Sequence, residues 1–141
     1  APNDYAVWVN NGTTVSYKVQ DASNGVVDWN VTNVNDGNWH HFAFSRTNTT
    51  INFYIDGNLQ TVNSNNLANN DTKIDTIGAK TNGSYPFKGK LDEVAIFDKA
   101  LTADQVKFDL YEPTATGTNQ TADIANNPNL PTPVAWYRMV D

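Results

Sequence analysis

An all-β domain carrying one short helix is what this sequence predicts, on three observations. Asn and Thr occur 21 and 16 times, whereas Glu occurs only at Glu93 and Glu112; Asn competes with helical hydrogen bonds and suits turns, while Thr, Val, Ile and the aromatics fit a pleated surface. Short apolar runs separated by Asn-Gly and Asp-Gly pairs recur from Tyr5 to Phe97, the pattern of strands joined by tight turns. A single segment, at Thr102, carries helix-start signals.

Each element follows from its own residues. Tyr5 to Val9 is an apolar and aromatic run, and after Asn11-Gly12 the residues Thr13, Val15, Tyr17 and Val19 alternate with polar ones, which predicts a hairpin. Val26 to Val31 is a third strand, bounded by Asn24-Gly25 and a polar stretch to Asn38. In Trp39-His40-His41-Phe42-Ala43-Phe44, alternation puts Phe42 and Phe44 on one face; Ile51, Phe53 and Ile55 share a face in the next strand. These five, with Trp39, form the expected core. Asp56-Gly57 then reverses the chain, because both central positions of a type I′ turn require positive φ. Ile74 to Ala79 reads as a strand, and Phe87 to Phe97 as two, with Val94 and Ile96 joining the core and Asp92 sharing their parity.

Thr102-Ala103-Asp104-Gln105 fits a capping box, with Leu101 and Val106 as its hydrophobic staple. The helix is expected from Ala103 to Tyr111, stopping at Pro113. From residue 113 to 133 the chain carries four Pro with many Thr and Asn, which reads as an extended linker. Val134 to Val140 is one more strand.

Composition bounds the function. A chain of 141 residues suits one domain. A net charge of −6, with nine Lys and Arg that form no cluster, disfavours nucleic acid as a partner. No apolar run approaches the ~20 residues of a membrane span, and neither an anchor nor a signal peptide is expected. Cysteine is absent, which removes thiolate nucleophiles and thiolate metal sites.

Taken in order, Trp39-His40-His41-Phe42-Ala43-Phe44, Phe53-Tyr54-Ile55-Asp56-Gly57, Ile77-Gly78, Phe87-Lys88-Gly89-Lys90-Leu91-Asp92-Glu93-Val94 and Ala100-Leu101-Thr102 with Val106 and Leu110-Tyr111 resemble the laminin G-like, concanavalin A-like lectin-glucanase family. The resemblance spans roughly Tyr5 to Tyr111. It implies an antiparallel jelly-roll β-sandwich, of the kind found in extracellular or surface proteins that bind glycans or proteins. Family members normally open with a strand that precedes anything corresponding to Tyr5. Residues 1–112 therefore read as a sandwich lacking that strand, 113–133 as linker, and 134–141 as the strand itself, because Pro133-Val134-Ala135-Trp136-Tyr137-Arg138-Met139-Val140-Asp141 looks like it. Three roles stay open for it: closing this domain, closing a neighbouring chain, or starting the next repeat.

Candidate chemistry is sparse. His40 and His41 are strand neighbours that point to opposite faces and cannot share one ion without distortion; the resemblance implies a framework role for them. Glucanases of the family carry Glu-x-Asp-x-x-Glu or a close variant on one strand. This sequence lacks it, and adjacent Asp92 and Glu93 point apart, so no catalytic residue is expected. Calcium is the cofactor the resemblance admits, with Asp92 as metal ligand where the family has an acidic residue; Asp36, Asp71 and Asp75 are the other acids in or beside polar loops. Trp29, beside Asp28 and Asn30, and Tyr85, after Asn82-Gly83-Ser84, are the candidate ligand-binding aromatics. Six Asn-x-Ser/Thr sequons fit an exterior location.

The function expected is a non-catalytic recognition module that binds carbohydrate and serves adhesion within a larger cell-surface or virion-surface protein. Its partners would be glycans or surface glycoproteins, with neighbouring copies reached through the C-terminal strand. The alternative is a structural unit of a fibre, decoration layer or filament without a small-molecule ligand.

Overall fold

A computed structural model describes residues 5–9, 14–20, 26–32, 34, 36–47, 50–60, 76–79, 83, 86–115 and 122–139. The chain divides into two units, one formed by Ala1–Trp39, Asn48–Ile51 and Val62–Gly89, the other by His40–Thr47, Asn52–Thr61 and Lys90–Asp141. The described secondary structure is mostly β, and its determined strand pairings are antiparallel.

In the first unit β1 (Tyr5–Val9), β2 (Thr14–Gln20) and β3 (Val26–Thr32) form a meander in that order. Val7 opposes Tyr17 across β1 and β2, and Tyr17 opposes Trp29 across β2 and β3. The expected strand at Ile74 to Ala79 is not formed where it is described: residues 77–79 form a bend, while Ile74 and Asp75 lie outside the described residues. Gly78, at φ 81, accepts a 2.7 Å hydrogen bond from the Phe87 amide instead of pairing along a strand.

A second sheet runs β4 (Phe42–Thr47), β5 (Thr50–Ile55), β6 (Asn58–Leu59). Ile51, Phe53 and Ile55 are buried as expected, but so is Tyr54 of opposite parity. Phe42, Phe44 and Trp39 depart from the expected core, at 38%, 39% and 66% exposure. The cause lies in β4, whose better-covered side carries Ala43 and buried Ser45, the Ser45 hydroxyl donating to the Leu101 carbonyl at 2.7 Å. Phe42 stacks on the buried Phe53 ring with centroids 6.3 Å apart but covers it from outside, keeping much of its own surface exposed. Trp39 precedes β4, beyond the reach of its alternation.

Of the two strands expected between Phe87 and Phe97, only β7 (Val94–Ile96) occurs among the described residues. It pairs antiparallel with β8 (Ala135–Tyr137), with Val94 opposite Tyr137, Ala95 opposite Trp136 and Ile96 opposite Ala135. The capping box forms reciprocally: the Gln105 amide donates to Thr102 Oγ1 at 3.2 Å and the Thr102 amide to Gln105 Oε1 at 2.9 Å. From Gln105 to Tyr111 the helix is of the wider π type, and it continues through Pro113 as α1 (Glu112–Ala115). The expected stop at Pro113 is thus corrected. The Glu112 amide reaches five residues back to the Lys107 carbonyl, and this wider π turn directly precedes Pro113, which has no N–H to continue the ladder.

Part of the stretch expected to be extended linker is folded. Ala122, Ile124 and Leu130 are buried together with Leu110, and Ala95, Phe97, Leu101 and Trp136 pack against them. Asp109 Oδ1 accepts from the side-chain amides of Asn127, at 3.1 Å, and Asn129, at 2.9 Å, tying this segment to the helix. Local composition reads as linker because three apolar residues among many polar ones leave no periodic stripe. Only the apolar surface of the helix makes them core.

Candidate functional site

Two clusters of charged and aromatic side chains stand out in the second unit. The first is built on the β5–β6 turn. Asp56 and Gly57 have φ of 48° and 70°, the two positive values of a type I′ turn, and Ile55 opposes Asn58 across it. That geometry aims the Asp56 carboxylate back at the entry to β4. His40 Nδ1 donates to Asp56 Oδ2 at 2.8 Å, the His41 amide donates to Oδ1 at 2.9 Å, and the Asp56 amide returns a 2.9 Å bond to the His41 carbonyl. The histidine pair thus divides its work, the ring of one and the backbone of the next meeting the same carboxylate. The His41 ring lies 6.1 Å from that of Tyr111, and its Nδ1 is buried without a hydrogen-bond partner. Burial pushes the His41 pKa below its ordinary value, opposed by the negative charge of Asp56. A Cβ on Gly57 would stand 2.8 Å from Tyr111 Cδ1, so the residue is required for contact as well as for φ.

The second cluster joins β7 to β8. Glu93 has φ of 51°, a region that residues bearing a Cβ seldom adopt. Its carboxylate accepts from Trp136 Nε1 at 2.7 Å and from Arg138 Nε at 3.1 Å, and the Arg138 guanidinium lies 5.1 Å from the centre of the Trp136 ring. Asp92 Oδ1 accepts from the amides of Glu93, at 2.8 Å, and Met139, at 3.2 Å. Asp92 thus bonds backbone amides and Glu93 bonds side chains, and both carboxylates reach residues 136–139.

Asp92, the candidate calcium ligand, therefore spends Oδ1 on two amides, while both oxygens of its neighbour are bonded to β8 and the residue after it. Among the described residues no group of three or more His, Asp or Glu is placed to hold a metal ion. Asp36 forms a local turn, accepting from the backbone and side-chain amides of Asn38 at 2.8 and 2.9 Å; Asp71 and Asp75 lie outside the described residues. Of the two candidate ligand-binding aromatics, Trp29 is on β3 with its side chain outside what is described, and Tyr85 lies outside the described residues altogether.

By sequence Asp56 reads only as a turn former, and Trp136 and Arg138 only as members of a strand. The signal for the latter was present. Residues two apart on a strand share a face, so a Trp-x-Arg pattern places a guanidinium beside an indole. What no pattern states is which carboxylate they meet.

A laminin G family model described as the concanavalin A-like lectin/glucanases superfamily matches residues 1–107. No curated protein and no solved structure matches the chain. Among the described residues no helix is long and apolar enough to cross a membrane.

Proposed function

The chain belongs to the concanavalin A-like lectin/glucanases superfamily, and from that membership we propose that it is a non-catalytic recognition module for carbohydrate, displayed on a cell or virion surface within a larger protein. The carrying observation is the use made of its carboxylates. A retaining glucanase needs two carboxyl groups ~5 to 5.5 Å apart that are free to meet a sugar. Here both Glu93 oxygens hold Trp136 and Arg138, Asp92 holds two amides, and Asp56 holds the histidine pair. These groups serve the framework and leave recognition to aromatic faces and amide-rich loops.

In this reading the antiparallel strands are those of a complete jelly-roll sandwich. A sugar ring stacks on Trp29 or Tyr85, and neighbouring Asn and Asp side chains bond its hydroxyls. The ligands are glycans or surface glycoproteins, with calcium as the cofactor and Asp92 as its ligand. A broad glycan array probed with the full chain, in calcium and again in chelator, tests this. Selective binding that Trp29→Ala or Tyr85→Ala reduces at least tenfold supports the proposal, and loss in chelator adds the metal. Absence of binding in both buffers overturns it in favour of a structural unit of a fibre or filament.

A further inference from the structure

We propose that β8 is exchangeable between copies of this chain, so that Ala135–Tyr137 of one copy closes the β7 edge of a second through the contacts it makes within its own chain. The acceptors of those contacts are concentrated in one short segment. The Val134 amide donates to the Ile96 carbonyl at 2.8 Å, the Met139 amide to Asp92, and Trp136 and Arg138 to Glu93. A strand arriving from another copy meets the same acceptors in the same register, with Trp136 against the same apolar cluster of Leu110, Ala122, Ile124 and Leu130. Glu93 keeps its side chain at a positive φ where glycine would be unstrained. What that conformation secures is the aim of its carboxylate at β8.

The hinge is placed for such an exchange. Leu130 is buried in its own chain, and Pro131-Thr132-Pro133 separates it from β8. Each proline locks its φ, and Pro133 also drives Thr132 toward an extended backbone. The segment therefore enters β8 extended, and residues 131–133 form no tight turn that would bind the strand to the chain bearing it. Because the contacts are the same in cis and in trans, concentration and hinge stiffness set the balance between them. Each copy then contributes Trp136 and Arg138 to its neighbour's clasp, which is incomplete without them.

The absence of cysteine makes the exchange directly readable. Full chains carrying Ile96→Cys and full chains carrying Ala135→Cys, whose positions oppose each other across β7 and β8, are mixed at high concentration and oxidised. The expected product is a mixed disulfide dimer in several-fold excess over the two like dimers. Replacing Pro131 and Pro133 by Gly in both chains relaxes the hinge while leaving the clasp residues unchanged, and reduces the mixed product several-fold. Statistical proportions of mixed and like dimers, or a mixed product that the hinge substitutions leave unchanged, overturns the proposal. A second measurement needs no substitution: unlabelled and isotope-labelled wild-type chains are mixed and examined by native mass spectrometry. A mixed-mass dimer supports exchange, and a spectrum of monomers alone overturns it.

Discussion

Asp56 and Gly57 show how much a two-residue turn can organise. Their positive φ values reverse the chain, but the consequence reaches further, since the turned carboxylate gathers both histidines and the bare Cα of Gly57 admits Tyr111. Gly57→Ala should lower the free energy of unfolding by about 2 kcal/mol, combining a disfavoured αL alanine with an aromatic that must shift; denaturant melts of the two proteins measure it. His41 supplies a pH dependence of defined sign. Burial holds its folded pKa below the ordinary value of 6.5, so the unfolded chain takes up the proton first. This site's stabilising effect is full above pH 6.5 and falls as the pH drops through that value toward the lower folded one. Thermal melts from pH 8 to 5 should show the decline, and His41→Phe should flatten it. The turn was legible in the sequence because its chemistry is local. The carboxylate's partners were not, because His40 and Asp56 are 16 positions apart and only β4 and β5 bring them together.

At the scale of elements, local codes and tertiary demands divide cleanly. The capping box needs nothing beyond Thr102 and Gln105, and it forms as read. Thr102→Ala should cost about 1 kcal/mol, the usual loss of an N-cap hydroxyl, measurable by chemical denaturation. Strand faces are another matter. Alternation separates inside from outside only when one face is wet, and β5 buries both Phe53 and Tyr54. Its neighbour β4 uses small Ala43 and Ser45 against the segment at Leu101, leaving Phe42 and Phe44 half-exposed. The β7–β8 pair is short, and side chains supply much of its hold. Glu93→Ala should raise amide exchange over residues 134–139 and speed tryptic cleavage after Arg138 several-fold. Exchange rates unchanged from the wild-type protein would mean that the backbone pairs suffice.

For the molecule as a whole, the described core of the second unit depends on residues far apart in sequence. Leu110 meets Ala122, Ile124 and Leu130, with Trp136 packed against them. Leu110→Ala should cost about 2 to 4 kcal/mol, the range for a buried leucine whose cavity collapses only partly. A chain ending at Tyr111 loses three of the four buried members and should melt well below the full one; an unchanged melting temperature would remove the later segment from the fold's energetics. The family match ends at residue 107, before any of these three. Asp56 and Glu93 both serve as ties within this unit, each joining residues far from it in sequence.

By itself the sequence determined the β class, the Asp-Gly reversal, the helix start, the family and the lack of a paired-carboxylate motif. All of these depend on residues within a few positions of one another, or on a series of such local signals in fixed order. Only the tertiary structure decided that Asp56 ties the histidines, that Glu93 ties Trp136 and Arg138, and that Ala122, Ile124 and Leu130 are core. The physical reason is common to the three. A carboxylate or a methyl group acquires its role from what is brought within a few ångströms of it, and chain topology sets that proximity.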